Sequence, residues 1–480
     1  MWQRRIVREQ GAEAYDFSHD KLRQVAYESL SQARRRQMHR QIWRALETLH
    51  MDDLESVSGQ IAAHCEAAGY YREAIAYYQR AARVAQDVYA NQDTLDFLQR
   101  AIDLFPQAKA SPQQQLEFYE QQGDVLTIIG RYEEAEAAFA KTTPLIKEPP
   151  ARSRICRKIA NTWQIRRQHD KAFEAWQIGE NSLGNRSADW PKSYWQEWLW
   201  IQLDKSWVLY WTNRLAELES LLQEIRPIME ERGMRPQQGL YYQRLVWLAL
   251  RRDRFLLTAE TVAYARASLA TIEVSGTLNQ IAFAQFVLGL TLFSHGWLGD
   301  FGEAEYYVKS ALTLAQELGD IVLQVRCLIH LSQNYLRHGD LDSVKTVLPQ
   351  AVDLAKKANN LEYVLMDTCL ESWYAWRAND FVESQRLGEQ ALEMARGLPF
   401  AWPGKWVVAL PLISTTLMNN ETGKAIAYAW LLLGPGQMRL RDELMAALEQ
   451  AIDAWEHDQP SAARSRLEQA LQLAQEYRYL

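Results

Sequence analysis

The chain has 480 residues, 48% of them apolar and 11% aromatic, which is material for one large core or several. Its net charge of −7 is uneven: residues 1–50 hold 10 Lys/Arg against 6 Asp/Glu, and the remainder holds 43 against 54. An acidic body of this kind argues against broad nucleic-acid binding, and the longest apolar stretch, residues 281–293, is too short to span a bilayer.

The first 50 residues differ from the rest. A short β-like run, Ala14 to Phe17, meets a helix capped by Ser18 or Asp20. From residue 56 onward nearly everything reads as helix, because apolar residues recur at three and four, as in Leu323, Cys327, Ile329, Leu331, Tyr335 and Leu336. The helices pair as 56–68 with 71–87, then 92–105 alone. Next come 113–129 with 131–143, 151–167 with 170–183, 193–212 with 215–231, and 237–251 with 258–272. The last are 277–295 with 301–318, 321–337 with 341–358, 361–378 with 381–396, 405–418 with 422–433, and 438–456 with 460–477. Gly, Asn or Asp stands at most of the turns and supplies the left-handed residue that ends a helix. Prolines such as Pro149, Pro236, Pro399 and Pro460 fall between helical blocks, where a missing N–H does least harm.

The pairs repeat about every 40 residues. Gly339-Asp340-Leu341 is followed by Val344, Leu348 and Ala351, and Asn379-Asp380-Phe381 by Ser384, Gly388 and Ala391. Gly299-Asp300-Phe301 leads to Ala304, Val308 and Ala311, and Gly130-Arg131-Tyr132 to Ala135 and Phe139. A fixed period of this length means stacked units, none able to bury its apolar face alone. Small residues, Gly123, Ala160, Ser206, Ser332 and Ser372, mark where paired helices cross closely. The pattern resembles the tetratricopeptide repeat over most of residues 56–480. The period exceeds the usual 34, and residues 232–275 fit least well. The resemblance implies an all-α, tetratricopeptide-like α-solenoid: a right-handed superhelix of about ten hairpins.

Residues 15–50 resemble the end of the winged-helix domain of signal-transduction NTPases with numerous domains, a superfamily that includes bacterial transcriptional activators. His19-Asp20 with Leu22 matches its apolar-x-x-His-Asp-Leu segment. By that resemblance, His19 and Asp20 would sense bound nucleotide in a full-length parent. Residues 1–50 would be a winged-helix remnant ahead of a solenoid over 51–480. No Gly-x-x-x-x-Gly-Lys-Ser/Thr loop occurs in the 480 residues; Thr422-Gly423-Lys424 lacks the upstream glycine and the following hydroxyl. The expectation is a piece or split partner of a larger regulator, lacking the NTPase core.

No catalytic, metal or cofactor residue stands out. Asp16, Ser18 and His19 are adjacent rather than convergent, and Cys327-x-x-His330 or His64-Cys65 supplies two ligands where structural zinc needs four. Cys65, Cys156, Cys327 and Cys369 lie far apart inside helical patterns, as buried free thiols of a cytoplasmic protein would. What remains is a groove. In tetratricopeptide arrays the first helix of each pair lines the concave surface. Projected here, that stripe holds Arg154, Arg157 and Asn161, then Trp200, Trp207 and Tyr210, then Arg326, Gln333 and Arg337, then Trp373 and Trp376. Trp, Tyr and Arg dominate interface energetics, although any single Trp also serves to fill a gap between long helices. The sequence therefore points to a non-enzymatic sensor arm that binds a protein or peptide partner on its concave face, beside a nucleotide-binding domain in the parent or in a separate chain. A stand-alone peptide-binding scaffold and a small-molecule sensor are the alternatives.

Overall fold

The computed structural model describes residues 7–9, 15–17, 20–88, 90–295, 301–357, 360–398 and 402–480, with side chains described from residue 24 onward. Ala14, Ser18, His19, the Gly299-Asp300 turn and Pro399 lie outside the described residues, as does the side chain of Asp20. The chain forms two compact units, Met1–Ile201 and Gln202–Leu480.

In the first unit β1 (Val7–Glu9) pairs antiparallel with β2 (Tyr15–Phe17). Helices α1 (Asp20–Glu28), α2 (Gln32–Leu49), α3 (Ser58–Ala68), α4 (Tyr71–Asp87), α5 (Asn91–Asp103) and the short α6 (Phe105–Ala108) follow. Next come α7 (Pro112–Ile128), α8 (Tyr132–Thr142), α9 (Pro149–Ile165), α10 (His169–Leu183) and the start of α11 (Lys192–Trp211). The sequence pattern did not mark α6, whose single turn depends on Pro106 at its start.

The second unit continues with α12 (Leu215–Arg232), α13 (Arg235–Arg252), α14 (Ala259–Ser275), α15 (Leu278–His295), α16 (Gly302–Glu317), α17 (Ile321–His338) and α18 (Leu341–Lys357). It ends with α19 (Leu361–Arg377), α20 (Phe381–Arg396), α21 (Trp406–Met418), α22 (Thr422–Leu432), α23 (Asp442–Glu456) and α24 (Pro460–Glu476). Apart from the β1–β2 pair, every regular element among the described residues is helical, and within each unit most consecutive helices pack against one another, as α3 on α4, α9 on α10, α15 on α16 and α23 on α24 do.

The turn chemistry is uniform. At the end of α17, Gly339 adopts φ 74° and donates to Leu336, and Asp340 donates to Tyr335. Asn379 and Asp380 make the same pair of bonds to Trp376 and Ala375, as do Asn420 and Glu421 to Leu417 and Thr416. This double bond satisfies two orphan carbonyls and turns the chain sharply into the next helix. The small and apolar positions that follow each turn are the packed ones: Val344, Ala351, Val308, Ala311, Ala135 and Phe139 are fully buried. Gly123 has its physical reason in α8, where a Cβ would sit 2.4 Å from the Phe139 ring.

The divergent stretch 232–275 is an ordinary hairpin, α13 on α14, with an extended turn. Arg254 and Phe255 are both left-handed, with φ 48° and 68°. Two consecutive non-glycine residues in that region cost roughly 1–2 kcal/mol each, so surrounding contacts must hold them. Those contacts come from far along the chain. Arg254 Nε donates to the carbonyl of Gln437 (2.7 Å) and its terminal nitrogen to that of Gly434 (3.2 Å), while the Arg439 N–H donates to the Arg254 carbonyl (3.0 Å). Gln437 in turn donates to the carbonyl of Trp402 (2.9 Å). The segment 434–439 is thus a strap that ties the α22–α23 connection to the α13–α14 turn.

Candidate ligand-recognition site

Beside the strap, the first helices of successive hairpins in the second unit line two adjoining, partly open cavities of about 180 and about 110 Å³. Each is far larger than the ~10–15 Å³ that one water needs. Phe255, Leu290, His330, Met366, Trp402 and Pro403 line both, so they form two lobes of one recess.

The larger lobe is walled by aromatic rings placed by helical spacing. Trp207 and Tyr210 of α11 stack face to face at 5.5 Å, and each lies near Trp247 of α13, at 6.3 and 5.7 Å. Phe286 of α15 meets the His330 ring of α17 at 5.5 Å. Two guanidiniums line this lobe, and a third, Arg244, lies 4.2 Å from the centre of the Trp207 ring. Arg251 lies 5.2 Å from the centre of Tyr210 and donates through Nε to its hydroxyl (3.3 Å). Arg326 lies 5.9 Å from Phe283 and donates through Nε to the Tyr363 hydroxyl (2.7 Å). Among the described residues, the terminal nitrogens of neither arginine meet a protein acceptor, and Glu362 lies within 4 Å of no cation. Burial pushes the Glu362 carboxyl up, with Arg326 and Arg251 pulling the other way. Burial and the Arg326 charge hold His330 down at about 4, so its imidazole is neutral at pH 7. The indole N–H of Trp247 is buried with no acceptor.

The smaller lobe holds Gln333 and Arg337. Arg337 is 4% exposed, donates to Asn334 (3.0 Å), and is pushed down to about 10 by burial.

In the first unit the expected groove residues form a closed ion network. Arg154 forks onto Glu120 (2.8 and 3.1 Å), and Lys158 reaches both Glu120 (2.8 Å) and Asp124 (2.6 Å). Arg157 faces Glu197 at 3.7 Å and lies 5.5 Å from the Trp200 ring; Asn161 is half-buried beside them on α9. Burial raises the Glu120 carboxyl, but hydrogen bonds and charge from Arg154 and Lys158 outweigh it and leave it below the usual range. These cations pair with carboxylates within 4 Å, whereas among the described residues Arg251 and Arg326 meet none that close and feel Glu362 only at longer range.

Trp207, Tyr210, Arg326, Gln333 and Arg337 therefore meet in the recess. Trp373 does not: it is fully buried, wedged 5.5 Å from Trp406, which in turn lies 5.3 Å from Tyr479. Trp376 is half-buried against the core with its indole N–H enclosed. Sequence reasoning missed Trp247, Arg251, His330, Glu362 and Trp402. Trp247 and Arg251, four apart on α13, could have been found by extending the stripe through the badly fitting stretch.

The remaining chemistry is sparse. Among the described residues no group of three His, Cys, Asp or Glu is placed to hold a metal, and no helix is long and apolar enough to cross a membrane. Cys65, Cys327 and Cys369 are buried and free, with burial pushing each thiol up.

No family model matches the sequence, and no curated protein matches it. Solved structures do match in fold. One is a Signal Transduction ATPase with Numerous Domains carrying a tetratricopeptide-repeat sensor, from Pyrococcus horikoshii. It shares 12% identity over 96% of this chain and 59% of its own, with a TM-score of 0.50. This chain thus spans about three fifths of that protein's length. The apo form of RapI aligns at 12% identity over 67% of this chain and 86% of its own, with a TM-score of 0.44. Aspartyl phosphate phosphatase F from Bacillus subtilis aligns at 11% over 86% and 98%, with a TM-score of 0.33. The fold is an all-α, tetratricopeptide-like solenoid.

Proposed function

We propose that this chain is a recognition module without chemistry of its own, the sensor and partner-binding arm of an ATP-dependent transcription or signalling regulator. The observation that carries the reading is the recess in the second unit, with Trp and Tyr rings beside two guanidiniums whose ends meet no acceptor among the described residues. Desolvated Trp, Tyr and Arg side chains are the usual anchors of binding energy. The likeness to a numerous-domain ATPase with a tetratricopeptide-repeat sensor, along 96% of this chain, supports assigning the sensor role. So does the His19-Asp20 segment ahead of the helical array. In such a regulator a ligand or partner polypeptide on the concave face shifts the nucleotide domain by binding one of its states more tightly than the other.

The test is an immunoblot of source cells with antibody against residues 56–480. A species well above 55.6 kDa, assembling in the presence of ATP, is the expected result. A single band at 55.6 kDa that associates with no ATPase would overturn the reading and leave a stand-alone scaffold.

A further inference from the structure

We propose that the larger lobe of this recess binds a small monoanionic aromatic acid, a carboxylate on a flat ring. This deepens the reading above and rests on it for the role of the concave face, but not for the existence of the site.

Charge sets the sign of the ligand. The larger lobe holds two guanidiniums and one carboxylate, and Arg251 and Arg326 spend only their Nε protons on tyrosine hydroxyls. Their terminal nitrogens form forks that suit a carboxylate held by two parallel bonds. Glu362 offsets one of the two charges and leaves one positive charge to be matched, which a monoanion does. The contrast with the first unit is direct: there Arg154, Lys158 and Glu120 satisfy one another at 2.8 Å and leave nothing to recruit an anion.

Ring chemistry sets the body of the ligand. Trp207, Tyr210, Trp247, Phe286 and Trp402 give walls on which a flat apolar group gains by leaving water. The buried, unanswered indole N–H of Trp247 offers one further donor to a ligand oxygen.

Closure sets the size. The strap bonded to Arg254 brings Trp402 and Pro403 against Phe255 in the lining of both lobes. At about 180 Å³ the larger lobe has room for a compact ring and its carboxylate.

The experiment is calorimetry and thermal melting of the full chain with three probes of one shape: 3-phenylpropanoate, 3-phenylpropanamide and 2-phenylethylamine. The acid should bind at least tenfold more tightly than the amide, raise Tm, and weaken with added salt. The amine should bind least. Arg326→Gln should cost the acid at least tenfold in affinity while leaving the amide unchanged, and Glu362→Gln should tighten the acid, an effect that a merely structural Glu362 would not give. Equal affinity for acid and amide, preference for the amine, or no response to the acid at millimolar concentration would each overturn the proposal. Should Arg326→Gln fail to fold, the comparison of the three probes on the unaltered chain decides by itself. A large ATP-assembled species in cells together with no response to the acid would remove this ligand class and leave the sensor reading standing. Acid binding by a lone 55.6 kDa chain would do the reverse.

Discussion

Arg254 Nε lies 2.7 Å from the carbonyl oxygen of Gln437, a hydrogen bond that spans 183 residues of chain. With the second bond to Gly434 and the return bond from Arg439, it holds two left-handed residues in place and anchors one wall of the recess. Arg254→Ala removes both side-chain bonds. Hydrogen bonds to a charged group are worth about 1.5–3 kcal/mol each at most, and this guanidinium is partly solvated. The expected loss is on the order of 2 kcal/mol of stability, with amide hydrogen exchange quickening across 434–440 and little change in the first unit. Unaltered exchange in that segment would mean that the backbone bond from Arg439 alone holds the strap.

Two buried groups tilt stability at opposite ends of the pH range. Asp367 is 1% exposed, its oxygens meet no donor among the described residues, and burial, with the Glu371 charge adding, raises it from 3.8 to about 8. An acid raised on folding contributes stability that is fully present below its unfolded value and is lost as pH climbs through the folded one. Asp367→Asn, of the same shape and never charged, should therefore raise Tm at pH 7–9, with a gain in unfolding free energy of no more than about 4 kcal/mol at pH 7, and make almost no difference near pH 4. His330 works in the other sense. Its value is depressed from 6.5 to about 4, so its neutral form contributes stability above 6.5 that is lost as pH falls towards 4. His330→Gln should flatten the acid side of the stability curve between pH 6.5 and 4 by on the order of 2 kcal/mol. Melting curves from pH 4 to 9 on both variants separate the two effects.

The helices and their ends were legible because each depends on a few local residues. Gly69, Gly130, Gly339 and Asn379 adopt the left-handed conformation that their type allows, and the positions after them are small or apolar where the next helix packs. The recess was legible only in part. Met366 and Trp373 are seven apart on α19 and by spacing share a face, yet Met366 lines the recess while Trp406, itself packed on Tyr479, lies against Trp373. What separates them is contact with chain 30 to 100 residues away, which no periodicity encodes. Arg251 and Trp247 escaped for the converse reason. The turn after them departs from the repeat pattern because it must meet the strap, and that departure masked the stripe.

Gly123 and Phe139 offer a test of the close crossing of α7 and α8. Gly123→Val places atoms within 3 Å of the Phe139 ring, which is fully buried and has no room to retreat. Overpacking of this kind costs about 1–3 kcal/mol. Combining it with Phe139→Leu should recover part of the loss, so that the double variant is more stable than the sum of the single ones. Strict additivity in urea unfolding would show that the two side chains do not meet.

The tryptophans separate core from surface in one experiment. Trp373 is fully buried against Trp406 in the α19–α21 packing, and its truncation to Ala leaves a cavity with an unfilled wall. A buried Trp→Ala change costs about 3–5 kcal/mol, and Trp373→Phe should cost less, because it keeps an aromatic face against Trp406. Trp211, 49% exposed at the end of α11, should cost under about 0.5 kcal/mol when truncated, as surface positions do. It also borders the larger lobe. Trp211→Ala should therefore leave urea unfolding unchanged while altering the fluorescence response to ligands entering the recess, and Trp373→Ala should do the opposite until the second unit melts. The same midpoint for both variants would place Trp373 at the surface and remove the packing argument that separates it from Met366.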